Sequence, residues 1–124
     1  MTGNCGTTQW MAPEVLAAEK YTEKADVFSF GVVCWEIITR ACPYDGLCQI
    51  QAALGVLNNN LRPTIPEDCP PLFKRLMTMC WATSPEKRPT FEQILEFLHT
   101  HNHEQQQQQQ QQQQGHDLTD DSLR

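Results

Sequence analysis

The sequence predicts a mainly α-helical unit followed by a disordered, glutamine-rich tail. Three features carry this prediction. The apolar run Val27 to Ile38 is too long for an ordinary strand. Leu72, Leu76, Met79 and Cys80 fall on one helical face, as do Phe91, Ile94, Leu95 and Leu98. Gln105–Gln114 is an uninterrupted glutamine run leading into a polar, acidic end, with nothing to bury. Residues 1–103 are therefore expected to form one partly complete domain and 104–124 a disordered tail.

Each element follows from its residues. Pro13 suits a first helical turn, so a short helix is expected from there through Ala18. A long helix should run from about Glu23 to Arg40, with Thr22 as its N-cap. Its apolar residues surround the axis, which places it at the centre of the unit. Gly31 sits in its middle, where glycine is less favourable than alanine by ~1 kcal/mol, so a close packing contact is expected there. Cys42-Pro43-Tyr44-Asp45-Gly46 reads as a turn. A helix from about Cys48 to Leu57 should stop at Asn58-Asn59-Asn60. Arg62 to Pro71 holds four prolines and must be extended. Pro71 then opens the helix carrying Leu72 and Leu76. Thr90-Phe91-Glu92-Gln93 has capping-box spacing ahead of the last helix.

Charge and cysteine usage exclude some functions. With 124 residues and a net charge of −6, the chain is a poor partner for nucleic-acid phosphates. The apolar run is far short of the ~20 residues a bilayer span needs, so no membrane association is expected, and no secretory signal follows Met1. The six cysteines make no Cys-x-x-Cys pair. Cys34 and Cys80 lie in apolar stretches and read as buried hydrophobes of a reducing, cytoplasmic compartment. His99, His101 and His103 alternate near a helix end without a third ligand type, which favours a solvated terminus over a metal site.

Four motifs then appear in order. Gly6-Thr7-Thr8-Gln9-Trp10-Met11-Ala12-Pro13-Glu14 closes with Ala-Pro-Glu. Asp26-Val27-Phe28-Ser29-Phe30-Gly31, then Trp35-Glu36 with Pro43-Tyr44, and finally Cys80-Trp81 with Pro85, Arg88 and Pro89 follow it. Together they resemble the helical C-terminal lobe of the protein kinase fold, from the end of the activation segment to the last helix. Trp-Met-Ala-Pro-Glu and Cys-Trp-x-x-x-Pro resemble the tyrosine-kinase-like group of serine/threonine kinases. Met1-Thr2, Asn4 and Gly6 resemble the transforming-growth-factor-β-activated kinases, which are mitogen-activated protein kinase kinase kinases.

The resemblance implies roles. Glu14 and Arg88 should form a buried ion pair anchoring the activation segment. Asp26 can be read as a first-turn acid that favours the helix dipole; the resemblance implies instead a half-buried acceptor for a catalytic loop that this sequence does not contain. Thr7, Thr8, Gln9, Trp10 and Met11 should line or support the pocket beside the phosphoacceptor. Thr2 and Thr7 match hydroxyls that are phosphorylated in the subgroup, although an exposed loop threonine is an equal reading of Thr2. Protein substrates and kinase regulators are the implied partners, and ATP and magnesium the family's nucleotide and cofactor.

Phosphoryl transfer needs a glycine-rich loop, a strand lysine, a catalytic-loop aspartate and a metal-binding Asp-Phe-Gly. The sequence contains none of them, so the chain alone is expected to hold no cofactor or metal and to be inactive. An apolar face normally covered by the missing part should then be exposed. Three origins fit: a partial record of an active kinase, a truncated paralogue that binds proteins, or a product that does not fold.

Overall fold

The computed structural model describes residues 7–102 and Gln110. Thr2 and the glutamine tail, apart from Gln110, lie outside them, as does the side chain of Thr7. Among the described residues the chain is helical without strands. It divides after Phe91 into two compact units.

The first unit opens with a 3-10 turn, Thr7–Trp10. Helix α1, Pro13–Leu16, follows with proline in its first turn. It ends sooner than its sequence predicts, because Ala18 adopts the left-handed conformation, φ 57°. Helix α2 spans Lys24–Thr39. The Thr22 hydroxyl accepts from Lys24 N–H at 3.2 Å, so Thr22 caps the helix from one residue further out than expected. Ala25, Val27, Phe28, Gly31, Val32 and Trp35 are buried around α2, as expected of a central helix.

The close contact expected at Gly31 is present. A Cβ there would lie 2.7 Å from the Cβ of Cys80, so only glycine lets α2 meet helix α4, Pro71–Cys80. On α4, Leu76 and Cys80 are buried and Leu72 and Met79 half-buried. Met77, also fully buried, widens the predicted face. Burial pushes the Cys34 thiol up, and it pushes Cys80 up to about 12. Both therefore act as apolar side chains. Cys42, in contrast, is disulfide-bonded.

Between α2 and α4 in sequence comes α3, Gln49–Asn59. Gln51 Oε1 accepts from Cys48 N–H at 3.1 Å. The helix outlasts its predicted end because only Asn60, at φ 53°, turns left-handed. Leu61 N–H then bonds back to Gly55 C=O at 3.0 Å, the closure typical of a left-handed helix end. The proline-rich stretch is free of helix up to Pro71 but is not extended throughout: residues 66–69 turn, with Cys69 N–H donating to Pro66 C=O at 3.1 Å. Trp35 Nε1–H holds the part before it by donating to Thr64 C=O at 2.7 Å.

In the second unit, residues 92–102 continue helix α5, which starts at residue 91 just after Thr90. Ile94 is buried, but Leu95 is 59% exposed, so the predicted apolar face is not uniformly covered. The Phe97 and His101 rings stack one turn apart, centroids 6.1 Å. No helix among the described residues is long and apolar enough to cross a membrane.

Candidate functional site

The structure brings Glu14 and Arg88, 74 positions apart, into one buried pair. Arg88 Nη1 and Nη2 reach the two Glu14 carboxylate oxygens at 2.7 and 2.8 Å. Arg88 is 1% exposed and Glu14 8%. Two nearly parallel charge-assisted bonds of this kind fix direction as well as distance. The remaining donors are satisfied by carbonyls of Ala82, Lys24 and Thr83. Arg88 thereby ties α1, the head of α2 and the loop before α5 to one point. Lys24 Nζ closes the cluster by donating to Arg88 C=O at 2.6 Å. The Phe28 ring takes two guanidinium groups, those of Arg62 and Arg88, at 5.0 and 5.1 Å from its centre. Burial raises the Glu14 pKa, but the Arg88 hydrogen bonds and charge override this and hold the carboxyl below its usual value.

The segment Thr8 to Met11 is pinned to α2. Ser29 Oγ–H donates to Trp10 C=O at 2.5 Å. Trp10 Nε1–H donates to Glu36 Oε2 at 3.1 Å. Glu36 lies seven positions after Ser29, which places both on one helical face, so one face of α2 grips both the backbone and the side chain of Trp10. Neither contact was read from the sequence. The available signal was Glu36 itself, the one charge inside the apolar run. Gln9 and Trp10 are buried, while Thr8 and Met11 are half-buried. Thr8 Oγ1 and Gln9 Oε1 are buried without hydrogen-bond partners among the described residues. Buried polar atoms are normally paired, so this segment presents an unfinished polar surface.

Asp26 corrects an expectation. It is exposed, not half-buried, and makes no side-chain hydrogen bond among the described residues. It heads a stripe with Phe30, Val33 and Ile37, spaced i, i+4, i+7 and i+11 along α2. Val33 is 41% and Ile37 71% exposed, so α2 carries apolar side chains at its surface. No group of three or more His, Cys, Asp or Glu residues among those described is placed to hold a metal ion.

Residues 2–98 match the family described as protein tyrosine and serine/threonine kinase. The chain is 43% identical over 99 residues to serine/threonine/tyrosine-protein kinase HT1 of Arabidopsis thaliana, covering 80% of this chain and 25% of that protein. It is 44% identical over 99 residues to serine/threonine-protein kinase STY17 of the same plant, with 80% and 17% covered. It is 48% identical over 93 residues to probable serine/threonine-protein kinase drkC of Dictyostelium discoideum, with 75% and 12% covered. The chain thus spans a quarter or less of the length of these relatives.

Proposed function

Because the chain belongs to the protein tyrosine and serine/threonine kinase family, we propose that it is the substrate-side part of a serine/threonine kinase acting on protein substrates. Its work is to position a substrate hydroxyl, while ATP and magnesium are held by residues this sequence does not contain. The observation that carries the reading is the bidentate Glu14–Arg88 pair, which fixes α1 against the head of α2. Alongside it, Trp10 is clamped to α2, so the Thr8–Met11 segment is held as a preformed ledge. Preorganised positioning of this kind is the main protein contribution in phosphoryl transfer apart from nucleotide and metal binding.

The partnerless atoms of Thr8 and Gln9 support the same reading, since they suit a surface completed by a catalytic loop. A place in a mitogen-activated protein kinase cascade, and a likeness to the transforming-growth-factor-β-activated kinases, rest on Met1-Thr2, Asn4 and Gly6 alone. For location the cysteines divide: the free thiols of Cys34, Cys48, Cys69 and Cys80 favour the reducing, cytoplasmic compartment read from the sequence, and the disulfide at Cys42 opposes it. Thr2 and Thr7 remain proposed phosphorylation sites.

A second reading, a non-catalytic module that binds proteins, has one observation in its favour. Leu47, Ile50 and Leu54 are 41%, 71% and 51% exposed on and just before α3, an apolar ridge of the kind partners use.

The purified 124-residue chain, given ATP, magnesium and a general protein substrate, is expected to transfer no phosphate above a buffer control. Incorporation that scales with chain concentration and persists through a further purification step would overturn the assignment to the substrate side alone.

A further inference from the structure

A cavity of about 290 Å³ opens between the end of α2, the turn that follows it and the loop that leads away from α3. Trp35, Leu61 and Pro63 form its apolar walls, and Tyr44 and Arg62 also line it. Both polar residues have unused capacity. Tyr44 is 9% exposed, and its hydroxyl is buried without a hydrogen-bond partner. Arg62 is half-buried. Its guanidinium donates to Trp81 C=O and Leu61 C=O, both at 2.8 Å, and to Thr83 Oγ1 at 3.2 Å. An arginine carries five N–H donors, and no carboxylate among the described residues forms a salt bridge with this one. Arg88, which packs on the same Phe28 ring, is by contrast neutralised by Glu14. The kinase reading gives no role to the Arg62 charge or to the Tyr44 hydroxyl.

We propose that this cavity binds a small ligand with an oxyanion, a carboxylate or a phosphate monoester, on a compact apolar body. Arg62 supplies the opposite charge and the Tyr44 hydroxyl one hydrogen bond. Half-buried cations without an acid partner are unfavourable unless something matches them, and a buried hydroxyl left unpaired is unfavourable in the same way. One oxyanion corrects both. Burial pushes the Tyr44 phenol up to about 12 despite the opposing pull of Arg62, so it remains an O–H donor at neutral pH. The volume lies at the small end of ligand pockets, ~300 Å³ and upward, and suits a single ring. Asp45 also borders the cavity, but it is exposed, where water and salt screen its repulsion.

The test uses the whole chain, with tryptophan fluorescence as readout because Trp35 borders the cavity. Benzoate and phenyl phosphate are titrated separately, with benzyl alcohol as the uncharged control. At least one anion should saturate the signal and outcompete the alcohol, and Tyr44→Phe should weaken it about tenfold, as for a hydrogen bond to a charged group. Saturation by only one of the two anions supports the proposal and assigns the headgroup. Without ligand, Tyr44→Phe should melt at the same temperature as the parent or higher, because it removes only an unpaired hydroxyl. The proposal is overturned if neither anion saturates below about 10 mM, if benzyl alcohol binds as well, if Tyr44→Phe binds equally tightly, or if Tyr44→Phe lowers the melting temperature.

Discussion

Replacing Arg88 with alanine is expected to destabilise the chain by ~3–5 kcal/mol, because Glu14 is then left as a buried charge without a partner. Domains of this size are commonly stable by only ~5–15 kcal/mol, so much of the population should unfold in mild urea. Arg88→Lys should recover part of the loss, since an ammonium matches the charge but cannot repeat the bidentate geometry. The double variant Glu14→Leu with Arg88→Met should be more stable than Arg88→Ala alone, because no charge is stranded. If the double variant is as unstable as the single, the carbonyl bonds that Arg88 makes to Ala82, Lys24 and Thr83 matter more than the pair.

The same pair sets a pH dependence. The folded Glu14 pKa is depressed, so its contribution is present above the unfolded value, ~4.3 for glutamate. It is lost as the pH falls through the lower folded value. Urea melts between neutral pH and pH 3 should therefore show stability declining below about pH 4.5. Glu14→Gln should flatten the decline.

The second large effect is at Gly31. By helix propensity alone, Gly31→Ala would stabilise α2 by ~1 kcal/mol. The new methyl group would instead sit 2.7 Å from the Cys80 Cβ, and overpacking a tight helix contact destabilises by ~1–3 kcal/mol. The expected net result is a loss of stability read by chemical denaturation. Cys80→Ala keeps the Cβ and should bring no relief. Cys80→Gly removes it, so a double-mutant cycle of Gly31→Ala with Cys80→Gly should show favourable coupling. A more stable Gly31→Ala single variant would mean that α2 and α4 separate easily.

The sequence made the skeleton legible because most of it is written locally. Pro13, Thr22 and Pro71 mark helix starts within a residue or two, and apolar spacing alone located α4. Gly31 signalled a close contact through its poor helix propensity, although nothing local named Cys80 as the neighbour. The Glu14–Arg88 contact came from resemblance; neither residue carries a pattern that specifies a partner 74 positions away. What escaped was long-range in the same sense. The Trp10–Glu36 bond links a loop to a helix across 26 positions. The end of α3 depended on which of three consecutive asparagines turned left-handed. Of the two readings of Asp26, exposure favours the first-turn acid, and burial of such an acid is set by what packs on the helix rather than by the helix's own residues. Arg62 looked like an ordinary loop residue and Tyr44 only like part of a motif until the fold placed both around one cavity.

The substrate-side assignment is tested most directly by grafting residues 2–98 into serine/threonine-protein kinase STY17 in place of its matching segment and measuring phosphate transfer to a protein substrate. The expected result is a chimera that still phosphorylates serine or threonine. A chimera that folds and binds ATP as its parent does, yet transfers no phosphate while the parent is active, would contradict the account.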